Sequence, residues 1–210
     1  MPQKTVATPL KNSSCTTMID PNNITKYDRS DKELLEFWLF CILVAGKKSS
    51  WASNKVAELD KVFGIEVLFQ IDRALIKNML MMCSAGQYER ISTAIDESKS
   101  IDLRKAGFME LMQIKGIGRK SANFFLLHSR EGWEGVVLDT HLLAFLRDNG
   151  VPAPRSTPQD AKKYKYLETE LYRLFKEKFP NKTLAEADLT VWKAYSGKNK
   201  LALEQNAELI

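Results

Sequence analysis

Two residues stand out by type and position: Lys120, which follows a Gly-x-Gly step and one arginine, and Asp139, nineteen residues on at the end of Val136-Val137-Leu138. An amine beside a carboxylate suits covalent attack by nitrogen on an electrophilic carbon, with a negative charge at hand for the cation that develops. The helical periodicity beginning at Arg119 puts Lys120 in a first helical turn, where the backbone dipole disfavours an ammonium and so favours the free amine. Taken singly, each residue has a plainer reading. Asp139 before Thr140-His141 suits a helix N-cap, and Lys120 a surface lysine or a phosphate contact.

The glycines upstream strengthen the pair. Gly116 and Gly118 lack the side chains that would hold a phosphate away, so the hairpin amides and the next helix N-terminus can face it, flanked by Lys115 and Arg119. One of the two glycines is expected to need a backbone conformation closed to other residues. From Arg104 to Lys120 five basic residues (Arg104, Lys105, Lys115, Arg119, Lys120) meet one acid, Glu110, a local +4 in a chain of net charge +5. That surplus suits a polyanion. The same residues also fit a glycine turn between two packed helices.

Helices must position these groups. Ser30-Asp31-Lys32-Glu33 has capping-box spacing before the apolar run Leu34 to Ala45. Three- and four-residue apolar steps predict further helices over 52–63, 72–82, 88–97, 104–113, 119–129 and 140–148, several closed by glycine. Thr157-Pro158 predicts an N-cap with proline at the first helical position of a long helix ended by Pro180, and Thr183-Leu184-Ala185-Glu186 a capping box for a last helix ending at Gly197. No stretch alternates like a strand for long, so the chain is expected to be all-α, with two helical lobes sharing a cleft.

The 210 residues, 44% of them hydrophobic, supply one sizeable core. Three cysteines (Cys15, Cys41, Cys83) without C-x-x-C spacing exclude a disulfide framework and a four-thiolate cluster. The longest apolar run, Phe37 to Gly46, is about half a bilayer span. The first residues lack the apolar core of a secretory signal, so an intracellular protein is expected, cytoplasmic, nucleoid or nuclear. His128 and His141 are the only histidines and, without a third matched ligand, predict no metal site.

Leu111 to Ala122, a helix, a Gly-x-Gly hairpin and a second helix, resembles the helix-hairpin-helix motif. With Lys120 and Leu138-Asp139-Thr140-His141 it resembles the helix-hairpin-helix DNA glycosylase superfamily, whose comparable strings read V-D-T-H or I-D-R-H. Phe37 to Ala45 looks like that superfamily's first core helix. Ala187-Asp188-Leu189-Thr190-Val191-Trp192 followed by Ser196-Gly197-Lys198 resembles the compact 8-oxoguanine glycosylases best known from archaea. The likeness runs from about residue 30 to 200.

It implies an all-α, two-lobed helix-hairpin-helix glycosylase fold with a DNA-binding cleft, divided as 1–28 (a poorly ordered arm or strap), 29–200 (the glycosylase domain) and 201–210 (a tail). The implied activity is a bifunctional DNA glycosylase and AP lyase of base excision repair, with Lys120 as nucleophile and Asp139 as its carboxylate. Lys115, Gly116, Gly118 and Arg119 would hold DNA. The implied base pocket includes Trp192 and Met82, near Met81 and Gln87, together with Lys198 and Lys200. The last two precede Leu201 to Ile210, so the chain's terminal carboxylate is not where the subfamily has its own. Trp51 with Lys47 and Lys48 is a second expected DNA contact, and Trp133 a loop anchor. No cofactor and no iron-sulfur cluster is expected, since no cysteine follows residue 83, though a monovalent cation at the hairpin is. The expected partner is damaged double-stranded DNA, bound by a monomer. A glycosylase for an alkylated purine or oxidised pyrimidine, and a noncatalytic helix-hairpin-helix module, share many of these features.

Overall fold

A computed structural model describes residues 18–197, and among these the regular elements are ten helices with no strand. They run α1 Asp31–Leu43, α2 Ser49–Phe63, α3 Ile65–Leu68, α4 Arg73–Met82, α5 Tyr88–Ser98, α6 Phe108–Gln113, α7 Arg119–Ser129, α8 Thr140–Asp148, α9 Ala161–Lys178 and α10 Leu184–Ser196. No helix of the described residues is long and apolar enough to cross a membrane.

Local chemistry sets most boundaries. Ser30 Oγ accepts the Glu33 amide (3.3 Å) and Glu33 Oε2 accepts the Ser30 amide (2.7 Å), closing the expected box on α1. The Lys26 ammonium, foremost, and then the Ser30 amide hold the Glu33 carboxyl down at about 2, below its usual 4.5. A carboxyl lowered in the fold stabilises it above the unfolded value and loses that contribution as pH falls toward the folded one. Glu33→Gln is therefore expected to lower the urea midpoint at about pH 7, with the gap from wild type narrowing by about pH 3. A gap constant across that range would show that the carboxylate's charge contributes nothing.

Two helices start later than their patterns predict. The 104–113 helix begins at Phe108, because the Asp102 carboxylate accepts the Arg104 amide (2.9 Å) in a turn and Glu110 accepts the Gly107 amide (2.8 Å) as the cap. The long helix begins at Ala161 and not at Pro158, because Asp160 caps the Lys163 amide (2.7 Å). Thr157 instead donates its hydroxyl to the Leu138 carbonyl (2.8 Å), pinning the chain just before Asp139.

Two hydrophobic clusters form. The first is built on α1 to α6 with one face of α7, and includes the fully buried Phe37, Trp38, Phe40 and Phe125. Burial of each such ring contributes about 1.5–3 kcal/mol. The second is built on α8 to α10 and the Val136-Val137-Leu138 run. The two meet on α7, where Leu126 belongs to the first and Leu127 to the second. Residues on opposite sides of α7 thus face different lobes, and the expected all-α, two-lobed architecture is the one observed. The segment 18–30 is a strap with Ile24 buried, its Lys26 amide donating to the His128 carbonyl (3.1 Å) and Arg29 to the same oxygen (2.7 Å).

Candidate active site

Lys120 is the second residue of α7. The N-cap of that helix is Gly118, which has no side chain to cap the first-turn amides, so these amides and the positive end of the dipole stay open. Gly116 makes the turn before it at φ +88°, where a Cβ would meet Arg90 Cγ at 2.7 Å. Arg90 braces the hairpin from behind, reaching the Ile42 carbonyl (2.9 Å). Gly118 has φ −105° and nothing within 4 Å of an added Cβ. Gly116 is thus the glycine that the backbone demands, whereas Gly118 leaves open space over uncapped amides.

The basic residues diverge. Lys115 is exposed, with its amide on Glu97 Oε2 (2.7 Å) and its ammonium 3.3 Å from Glu97 Oε1. Arg119 lies over the rings of Phe108 (5.9 Å) and Tyr164 (5.7 Å) and lines a separate groove with Trp133 and Glu168. Lys120 points to the other side. It has no hydrogen bond or ion pair among the described residues and lines a cavity between the lobes with Asp139.

Asp139 caps α8. Its Oδ1 accepts the amides of His141 and Leu142, both at 2.8 Å, which fixes the carboxylate and leaves Oδ2 outside the cap. The N-cap reading and the chemical reading therefore hold together. Phe40 of α1, Val44 just after it and Phe124 of α7 make the cavity apolar on one side, and Val137, Leu189 and Trp192 on the other. Pro21 and Ile24 of the strap complete it. Its volume is ≈ 50 Å³, room for a few waters and not for a purine, so a base is admitted only as side chains at the rim move. Trp192 is half-buried, with its ring 6.2 Å from that of His141 and nearly perpendicular to it.

Met82 is not brought to this cavity. It ends α4, 74% exposed, because α4 packs chiefly on α5 and α2, away from α7 and α10. Met81 is also exposed, and Gln87 is held by Arg90 Nε (2.6 Å). The wall expected from them comes from the strap and α1. Lys198 and Lys200 lie outside the described residues. Lys47 stands over the Trp51 ring at 5.2 Å, and neighbouring Ser49 lines the cavity.

Sequence reasoning gave no chemistry to Asp188, yet it opens on the same space. It is 2% exposed, its Oδ2 lies 3.3 Å from His128 Nε2, and its Oδ1 has no hydrogen-bond partner among the described residues. Burial pushes its carboxyl up, against the hydrogen bond from His128 and the positive charge of Lys120. The one available signal was its position four residues before Trp192, on the same helix face. No group of three or more His, Cys, Asp or Glu among the described residues is arranged to hold a metal.

No family model matches the chain. Solved structures do. The 8-oxoguanine glycosylase/lyase of Methanocaldococcus jannaschii, in complex with a 15mer DNA containing 8-oxoguanine, superposes with a TM-score of 0.65 at 23% identity over 90% of this chain and 94% of that one. A second structure of an 8-oxoguanine DNA glycosylase from that organism gives 0.62 at 22% identity, over 86% and 85% of the two chains. The 8-oxoguanine DNA glycosylase of Thermotoga maritima gives 0.62 at 22%, over 79% and 81%. At these identities the likeness establishes the fold alone, an all-helical one that this chain shares with those proteins.

Proposed function

We propose that the chain is a bifunctional DNA glycosylase and AP lyase that removes 8-oxoguanine from double-stranded DNA. The observation that carries the proposal is the opening of Lys120 and Asp139 onto one largely apolar cavity, beside a helix N-terminus left uncapped by Gly118. An unpaired amine and a fixed carboxylate at an apolar wall are the parts needed to displace a base, and a plain phosphate-binding hairpin gives no reason for them. The substrates named for the structural neighbours support the same lesion.

In this reading the hairpin amides hold a backbone phosphate and the damaged nucleotide is turned out of the duplex into the cavity, at a cost of a few kcal/mol. The Lys120 nitrogen forms a bond to C1′ as the C1′–N9 bond breaks, its electrons leaving with the base, which takes up a proton. Asp139 stabilises the positive charge that builds on the sugar. Opening of the sugar ring gives a protonated imine between C1′ and Lys120. Loss of a proton from C2′ then expels the 3′ phosphate oxygen, and hydrolysis of the imine frees the lysine. The protein acts within the cell as a monomer, and no cofactor enters these steps. Incubation with duplexes carrying 8-oxoguanine, an alkylated purine, an oxidised pyrimidine or no lesion, with released bases separated by chromatography, tests the reading. Release of 8-oxoguanine with strand scission is expected, and release of a different lesion alone would reassign the substrate.

The hairpin has its own test. Gly118→Val adds a side chain in open space at a permitted φ, so it should fold with wild-type stability yet bind damaged and undamaged duplexes alike about tenfold more weakly, roughly 1.4 kcal/mol. Affinity measured across a salt series, with circular dichroism as the folding control, checks this. Unchanged affinity in the folded variant would make the hairpin a structural turn only.

A further inference from the structure

Thr157 does not line the cavity, yet it holds the peptide that carries Asp139. Its hydroxyl donates to the Leu138 carbonyl at 2.8 Å, and that carbonyl has no other hydrogen-bond partner among the described residues. Leu138 is fully buried, so water does not replace a lost donor there. The carbonyl of residue 138 and the Cα of residue 139 belong to one planar unit, and fixing the oxygen therefore restrains where the Asp139 Cα lies. The donor is itself held. Pro158 confines Thr157 to extended backbone, and branching at Cβ stiffens its side chain. Arg147, in the last turn of α8, donates to the Pro154 carbonyl (2.7 Å), and Val151 and Ala153 of the same loop are buried in the second cluster. The loop thus leaves one end of α8 and returns to the other, where Asp139 is the cap. Asp139 is held on two sides, by the His141 and Leu142 amides on Oδ1 and, through the Leu138 peptide, by Thr157.

We propose that Thr157 is a positioning residue for base excision: through the Leu138 peptide it sets the distance between the Asp139 carboxylate and the sugar that becomes positively charged. The proposal rests on the glycosylase reading above, in which Asp139 carries that task. Stabilisation by a charge depends on where the charge stands, and a misplacement of about 1 Å can cost on the order of 100-fold in rate. Without the Thr157 hydroxyl, the buried carbonyl turns toward another donor and takes the Asp139 Cα with it. The two cap bonds do not prevent this, because they tie the carboxylate to the first turn of α8 and not to α7, which carries Lys120. In this role Thr157 touches no substrate and transfers no proton.

The experiment measures single-turnover excision of 8-oxoguanine by Thr157→Val, which keeps the shape of the side chain and removes its hydroxyl, in the wild-type and Asp139→Asn backgrounds. Circular dichroism is the folding control. In the wild-type background excision is expected to slow about tenfold, with affinity for the lesion duplex within about twofold. Thr157→Ser, which keeps the donor, should bring the rate to within about threefold of wild type. In the Asp139→Asn background Thr157→Val should slow excision by less than about twofold, because the charge whose place it sets is already gone. An equal loss in both backgrounds would show that Thr157 acts otherwise than through the carboxylate, and would overturn the proposal. So would a wild-type rate in folded Thr157→Val. Thr157→Ala, compared with Thr157→Ser in both backgrounds, carries the test if Thr157→Val does not fold. All of these outcomes leave the glycosylase reading standing, whereas a wild-type protein that excises no 8-oxoguanine would overturn that reading and the proposal with it.

Discussion

With Lys120 replaced by alanine, borohydride is expected to leave no protein–DNA adduct, and strand scission should fall on the order of 10³-fold or more. Binding to lesion duplex should stay within about threefold, because phosphate contacts supply most of the affinity. The structure makes this separation of effects testable. Lys120 has no hydrogen bond or ion pair among the described residues, so its removal breaks none in the fold, while the Gly118 turn and its open amides do not involve the side chain. Trapping time courses and fluorescence anisotropy on the same duplex report the two quantities. A variant that still traps at the wild-type rate would place the nucleophile on another amine.

Asp139→Asn is expected to lower single-turnover excision on the order of 10²–10³-fold without loss of thermal stability. The reason is a division of labour within one carboxyl group. Oδ1 accepts the His141 and Leu142 amides, a task that asparagine performs equally well at an N-cap, and the charge alone is lost. Melting temperature and excision rate measured together separate the cap from the charge. A variant that melts as the wild type and excises at the wild-type rate would reduce Asp139 to a cap.

Legibility in the sequence followed the range of the interactions. The bounds of α7 and α8 were readable because glycine and aspartate punctuate them locally, and so were the boxes at Ser30 and Thr183. The starts of α6 and α9 were misread where a second short polar residue competed for the same amides: Asp102 and Asp160 won over the pattern that began at Arg104 and Thr157. Lys120 and Asp139 could be paired from spacing because a helix, an apolar run and a second helix fix their separation. The remaining walls could not be read in this way. Pro21 and Ile24 arrive from a strap about a hundred residues away, joined by Thr25 and Arg29 to His128, and no periodicity encodes such a contact. Met82 lay in the stretch expected to form that wall, but the packing of α4 on α5 turns it to solvent. Asp188 belonged to a string noticed only for its resemblance, and its meaning came from burial without a second partner.

The central claim is that one lysine, at the head of the hairpin's second helix, becomes covalently joined to the sugar of a damaged deoxyguanosine. Borohydride reduction of the wild-type protein with a duplex containing 8-oxoguanine, followed by nuclease and protease digestion and mass spectrometry of the adduct, tests it most directly. The account predicts an adduct that forms with 8-oxoguanine and not with the undamaged duplex, carried on the peptide containing Lys120. An adduct on a different amine, or release of the base with no adduct at all, would contradict it.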